Sequence, residues 1–266
     1  EYQNKKTEQQ NNDIIASIQY AKLIQEALIP SDNLLQQHFP DHFILYKPKD
    51  IISGDFYWTK RIQNNGFDIT LLAAVDCTGH GVPGAMMSML GIAFLNEIVL
   101  KKEVYKASHV LDKLREKIIE SLQTSSNGKI THDGMDIALT MIDHKTDELH
   151  FTGANRPLYF IRNQELKIFQ GNKMPIGKHG ISNEHFSNIE IKLQKNDCFY
   201  IFTDGYVDQF GGVRNKKLKR QKFRNLLLEN HAKSMLEQKK ILDSTHIKWM
   251  GNNKQTDDIL VMGIRY

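Results

Sequence analysis

Four acidic stations recur along this 266-residue chain in one local context. Asp76 closes the apolar run 67–75 and opens Cys77-Thr78-Gly79-His80-Gly81. Asp55 stands in Ser53-Gly54-Asp55-Phe56-Tyr57-Trp58, and Asp204 follows the apolar run 198–202 in Phe202-Thr203-Asp204-Gly205. Asp257 and Asp258 directly precede the apolar run 259–264. Each acid sits where a hydrophobic strand meets a turn, so strands of one sheet system can carry all four to a single edge. A carboxylate at a glycine-rich turn, with backbone carbonyls free beside it, suits a hard cation that takes oxygen ligands. Singly, each has a plainer reading. Asp-Gly is a common turn pair, and Asp76 also fits an ordinary strand-to-helix turn with a capping aspartate. The fourfold recurrence of the context is what favours a shared site.

The elements that must position these acids follow from hydrophobic periodicity. Ile14, Ile18, Ala21, Ile24 and Leu28 recur at steps of four and three, which predicts a helix over 1–28, ended by Pro30. Its apolar stripe is either packed on the domain or paired with another chain. Strand-like runs cover 43–46, 56–62 and 69–75, with Asn64-Asn65-Gly66 as a tight connection. Pro83 suits the first turn of the helix that follows Gly81. Two helices are predicted over 85–101 and 107–123, broken around Glu103. Strands follow over 137–142, 149–152, 158–161, 166–169, 189–193 and 198–202, then helices near 219–231 and 235–250 and a last strand at 259–264. Short turns such as Arg162-Asn163-Gln164 require antiparallel neighbours. Runs of strands alternating with pairs of helices give an α+β layering.

Composition bounds the function classes. With 40% hydrophobic and 25% charged residues, the chain is ordinary for a soluble globular protein and long enough to bury a core. No apolar run approaches the roughly 18 residues of a membrane span. The polar, mixed-charge start over 1–13 is unlike a signal peptide, and the missing initiator Met points to a fragment of a longer protein. Cys77 and Cys198 lack Cys-x-x-Cys spacing, which gives neither a zinc site nor a disulfide framework and suits reduced cytosolic thiols. Cys77 adjoins Asp76, but only His80 is near to activate it, so it reads as a packing residue. A net charge of +4 does not point to nucleic acid.

Taken in order, the segments 53–57, 76–81, 203–205 and 257–258 resemble the metal-dependent serine/threonine protein phosphatases of type 2C. More narrowly they resemble the bacterial branch typified by the stage II sporulation phosphatase and by stress-response phosphatases acting on anti-sigma-factor antagonists. The resemblance runs from about residue 14 to the end. It implies a four-layer α/β/β/α sandwich, with two stacked, mainly antiparallel sheets flanked by helices. Residues 1–30 would be an N-terminal linker or regulatory helix and 31–266 the catalytic domain. It implies hydrolysis of phosphoserine or phosphothreonine on a regulatory protein by a metal-activated water, with two Mn²⁺ or Mg²⁺ ions about 3.5–4 Å apart. A third ion is known in some members.

The resemblance also distributes roles. Asp76 would bridge the metals, the Cys77 backbone carbonyl would complete the first metal's protein shell, and Asp55 would bind that metal directly or through water. Asp204 and Asp257 would hold the second. Asp133 or Asp136 would be an accessory ligand for a third ion, against the plainer reading of a strand-edge turn acid. His80 is either a general acid for the leaving oxygen or a support of the glycine-rich turn. Asp258 caps the last strand through hydrogen bonds. The early phosphate-holding arginine of the enzymes of higher cells has no counterpart here; Lys49 could serve, or be a surface lysine. Asn155 and Arg156 read as loop structure.

The basic run 214–224 is either a solvated face or a mobile flap that attracts a negatively charged phosphoprotein. Only Phe223 interrupts it as an aromatic, so no nucleic-acid partner is expected. The implied partners are a phosphoprotein substrate, an upstream sensor domain and a second copy paired through residues 14–28. The implied location is cytoplasmic, with any membrane anchor upstream. Two rival readings remain open: a catalytically silent scaffold that kept the fold, and a two-metal phosphodiesterase or nuclease.

Overall fold

The computed structural model describes residues 2–30, 33–64, 66–100, 106–123, 133–179 and 184–266. In chain order the elements begin with α1 (Tyr2–Leu28), α2 (Asn33–His38), β1 (His42–Lys47), β2 (Phe56–Asn64) and β3 (Phe67–Cys77). The helices α3 (Gly81–Leu100) and α4 (Ala107–Gln123) follow. A block of strands comes next: β4 (Met135–Asp143), β5 (Glu148–Ala154), β6 (Leu158–Arg162), β7 (Glu165–Phe169), β8 (Ile189–Lys192) and β9 (Cys198–Phe202). The chain ends with α5 (Gly205–Asp208), the short hairpin β10 (Phe210–Gly211) and β11 (Lys216–Lys217), α6 (Arg220–Asn230), α7 (Met235–Met250) and β12 (Ile259–Arg265).

Two five-stranded sheets run in the orders β2-β3-β4-β5-β8 and β1-β12-β9-β6-β7, with every paired neighbour antiparallel. Side-chain alternation explains why they stack. In β3, Leu71, Ala73, Val75 and Cys77 face a core shared with α3 and α4, while Leu72 and Ala74 face the opposite sheet. In β9, Phe199 and Ile201 meet that same inter-sheet core, and Cys198, Tyr200 and Phe202 face Phe223, Met235 and Leu242 of α6 and α7. A strand buried on both faces has no polar side to show, so it reads as a continuous apolar run. Three cores between four layers give the expected α/β/β/α sandwich.

Two expectations are corrected. Helix α3 is 20 residues long and, by length and composition, apolar enough to cross a membrane, contrary to the sequence reading. Half of it is buried in the fold, where Ile92, Leu95 and Val99 join the first core. It is apolar because it packs against a sheet. On α1, the residues turned inward are Ile18, Ala21 and Gln25, whereas Ile24 and Leu28 stay 43% and 40% exposed. A polar Gln25 holds the centre of the packed face, which hydrophobic spacing could not show. The expected break near Glu103 and the turn residue Asn65 lie outside the described residues.

Candidate metal centre

Register brings the acids together. β2 pairs with β3 so that Phe56 lies opposite Val75, which sets Asp55, one residue before β2, beside Asp76. β4 pairs with β3 so that Asp136 lies directly opposite Asp76. In the other sheet, β9 and β12 pair with Phe202 opposite Val261, which leaves Asp204 and Asp257 at the same end of neighbouring strands. The Thr203 hydroxyl donates to Asp55 Oδ2 at 2.5 Å and accepts from the Leu260 N–H, tying the two sheets together at the site.

Close backbone packing shapes this edge. The Gly79 carbonyl is wedged against Gly54 and Gly84, where a Cβ on either would collide with it. A Cβ on Gly205 would likewise strike the Asp258 carbonyl. Asp258 hydrogen-bonds as expected, but to the loop before β2 rather than to the last strand: its carboxylate accepts the N–H groups of Lys49 and Gly54, each at 2.7 Å. From outside the sandwich, Gln25 of α1 donates to the Ser53 carbonyl (2.6 Å) and the Ser88 hydroxyl (2.7 Å) and accepts from the Ser53 N–H. Helix α1 is thus bolted to the loop that presents Asp55.

At the centre stands Arg156, which the sequence reading assigned to loop structure. It follows Asn155, whose φ is +57°, in the turn between β5 and β6. The guanidinium is buried, and its Nη2 donates to Asp76 Oδ2 at 2.5 Å and Asp204 Oδ2 at 2.9 Å, with Asp136 Oδ2 at 3.3 Å. One nitrogen therefore touches acids from both sheets. Its Nε is buried without a hydrogen-bond partner. The available signal was a lone arginine among small residues, Gly153-Ala154-Asn155-Arg156-Pro157, joining two apolar strands.

The electrostatics call for more positive charge than Arg156 brings. Burial, followed by the repulsion of Asp76, drives the Asp55 carboxyl well above the usual carboxylate range. Burial also pushes Asp76 up to about 8 against the pull of Arg156, with Asp204, Asp136 and Asp257 adding to the rise. Asp136 and Asp257 rise chiefly through burial. Five carboxylates against one guanidinium leave a formal excess of four negative charges (five minus one). Among the described residues no three acidic, histidine or cysteine side chains stand close enough to hold an ion as they are. Arg156 instead fills the space between Asp76, Asp136 and Asp204. An all-oxygen donor set with uncompensated charge fits hard divalent cations, which would take over the carboxylates Arg156 now holds.

The remaining expected residues divide. His80 Nδ1 lies 2.8 Å from Asp50 Oδ2, an exposed pair on the turn after Asp76; Asp50 was not foreseen. Lys49 lies close enough to Asp257 to pull its carboxyl down, while its backbone N–H serves Asp258. Asp133 sits on the approach to β4 with no bond to the cluster, whereas Asp136 belongs to it. The Cys77 thiol is buried and pushed well up by that burial, which removes it as a nucleophile. Its backbone carbonyl faces the Gly54 side of the site.

A family model described as Stage II sporulation protein E (SpoIIE) matches residues 68–266. The SiaA-PP2C domain of Pseudomonas aeruginosa superposes with a TM-score of 0.83 at 30% identity, covering 96% of this chain and 98% of that one. The PP2C phosphatase domain of the cell-fate determinant SpoIIE from Bacillus subtilis, with a fragment of its regulatory domain, gives a TM-score of 0.66 at 16% identity and covers 85% of this chain and 63% of that one. RsbX in complex with magnesium gives 0.53 at 14% identity, covering 85% and 94%. The last two likenesses show the fold alone. No curated protein sequence matches the chain.

Proposed function

The chain belongs to the Stage II sporulation protein E (SpoIIE) family, and from that premise we propose how its acids work. It is a metal-dependent protein phosphatase of the PP2C type. The finer reading is hydrolysis of phosphoserine or phosphothreonine on a small regulatory protein of the anti-sigma-antagonist kind, at a site holding two Mn²⁺ or Mg²⁺ ions. Magnesium in the RsbX complex supports the choice of ion class. The observation that carries the reading is the reach of Arg156 Nη2 to Asp76 and Asp204, acids of opposite sheets.

The ions would neutralise phosphate charge and lower the pKa of an attacking water. Asp55, Asp76 and the Cys77 carbonyl would hold one, Asp204 and Asp257 the other, with Asp136 as accessory acid for a third. With Asp76 and Asp204 holding cations, the Arg156 guanidinium would be free for phosphate oxygens, and its unpartnered Nε–H would supply a second donor of the planar fork. Arg156 then takes the part for which Lys49 was considered. His80, oriented by Asp50, would give its proton to the departing serine or threonine oxygen. In α1, Ile14, Ile15, Tyr20 and Leu23 stay exposed, and we assign them to pairing with a second copy.

Hydrolysis of a phosphoserine peptide with Mn²⁺ and with chelator, wild type beside Asp76→Asn, tests the reading. Chelator-sensitive turnover lost in the variant is the expected result. Full activity of Asp76→Asn would remove the site assignment, and faster cleavage of a phosphodiester than of the phosphopeptide would favour the nuclease-like rival.

A further inference from the structure

The catalytic reading leaves one strongly charged feature unused. Seven Lys and Arg residues fall between 214 and 224, with no acid among them. They lie on the hairpin β10–β11 and the opening of α6. The segment is fastened at its base. The Gly212 N–H donates to the Trp249 carbonyl (2.8 Å), the Trp249 indole donates to the Gln209 carbonyl (3.1 Å), and the Asn253 amide donates to Phe210 and Asn215 (3.3 and 3.0 Å). The Phe210 N–H donates to the Thr256 hydroxyl, and Gln209 bonds Lys254 and Thr256. The hairpin is therefore tied to the loop that ends at Asp257, and it continues directly from Asp204 through α5. The two segments that deliver the second pair of site acids both anchor it.

Few of these charges are answered within the fold. Lys217 pairs with Asp208 at 2.7 Å, and the Lys222 ammonium lies 3.9 Å from the Trp249 ring centre. Arg214, Lys216, Lys219 and Arg220 are exposed and form no salt bridge among the described residues. Lys219 adds an independent sign. Its backbone adopts φ +73°, ψ 151°, a region nearly reserved for glycine, and any other residue held there costs folding stability. The turn is held by its backbone, whose N–H donates to the Val207 carbonyl (2.8 Å) and whose carbonyl accepts from the Phe223 N–H (3.3 Å), while the side chain is left exposed. Strain of this kind concentrates at functional positions.

We propose that the β10–β11 hairpin and the first turn of α6 form a docking surface for an acidic segment of the phosphoprotein substrate. The proposal rests on the phosphatase reading above and specifies its substrate class: carboxylates near the phosphorylated residue meet Lys216, Lys219 and Arg220 while the phosphate enters the site. Such contacts between solvated charges set encounter and selectivity and are screened by salt.

The experiment compares wild type with Lys216→Glu/Arg220→Glu and with Lys219→Gly. The substrates are p-nitrophenyl phosphate and two phosphoserine peptides, one with Asp/Glu flanks and one with Gly/Ser flanks, at low and high KCl. Fluorescence anisotropy of the labelled acidic peptide reads docking without turnover. In the double variant, turnover of p-nitrophenyl phosphate and of the neutral peptide stays unchanged. Its kcat/KM on the acidic peptide falls by about tenfold, through KM. In wild type, the preference for the acidic peptide shrinks as salt rises. Lys219→Gly raises Tm by about 2 °C and weakens the acidic peptide, an opposition that a merely structural residue would not produce.

Equal use of the two peptides by wild type overturns the proposal. So does unaltered acidic-peptide binding in the double variant, or tighter binding of a single-stranded oligonucleotide than of the acidic peptide. If no protein turns over any substrate, the phosphatase reading fails and anisotropy decides docking alone: binding lost in the double variant upholds it, and binding retained removes it.

Discussion

Replacing Arg156 with Met keeps most of the side-chain stem and removes the one cation among Asp76, Asp136 and Asp204. The structure allows the cost to be worked out. Breaking a buried ion pair by deleting one partner costs about 3–5 kcal/mol, because the other charge stays behind. Here the acids can take up protons instead, and burial already pushes Asp76 up to about 8 against the pull of the arginine, so the lower end applies. About 3 kcal/mol, at 2–4 °C per kcal/mol for a chain of this size, gives a drop of about 6–12 °C in Tm under chelator. Cations behave oppositely in the two proteins. In wild type they must displace the guanidinium from Asp76 and Asp204; in Arg156→Met they meet open carboxylates. Saturation at about 100 times Kd adds about 2.7 kcal/mol, and the Mn²⁺-induced rise should be larger in the variant. Differential scanning fluorimetry with EDTA and with Mn²⁺ reads both quantities. Inorganic phosphate should also inhibit the variant about tenfold more weakly, since a charge-assisted pair is lost. Equal melting of the two proteins in EDTA, or an equal rise with Mn²⁺, would refute the competition between arginine and metal.

His246 offers a pH test. It is 1% exposed with both ring nitrogens unpartnered, and burial, helped by Lys47 and opposed by Asp243, lowers its pKa to about 4. A folded value below the unfolded 6.5 means stability is complete above about 6.5 and is lost as pH falls from there toward 4, by about 3 kcal/mol at most. His246→Leu should flatten Tm against pH over that window, and an unchanged slope would reject the linkage. Deleting residues 2–28 should lower the mass in solution from dimer to monomer, as light scattering would show. Gln25→Leu should keep the mass yet weaken Mn²⁺ binding about tenfold by calorimetry, because it unbolts the Ser53 loop; unaltered affinity would confine Gln25 to packing.

The sequence carried the architecture well because both sheets are buried on two faces. Strands such as β3 and β9 then announce themselves as unbroken apolar runs, and an acid at the end of such a run marks a sheet edge. Asp55, Asp76, Asp204 and Asp257 were legible for that reason: antiparallel register moves them as a set, and no long-range guess about side chains was needed. Arg156 was hidden because its importance lies in whom it meets across the sandwich, and Asn155-Arg156-Pro157 looks locally like any turn. Gln25 was hidden by the rule that made α1 legible, since a search for apolar spacing passes over a glutamine. Helix α3 was read as a helix, but its apolar length was passed over. Its composition suits a membrane, and only the sheet beneath Ile92, Leu95 and Val99 explains it.

The same contrast explains why the site needs partners from outside the carboxylate set. Strand register can place acids at one edge, but it cannot neutralise them, and burial makes their charge costly. In this structure Arg156 answers part of that charge, and on the proposed reading divalent cations would answer the rest. Gln25 reaches the site from α1, because the loop it grips presents Asp55 beside Asp76. On the same reading substrate binding would favour the cations, since phosphate would draw Arg156 away from Asp76 and Asp204.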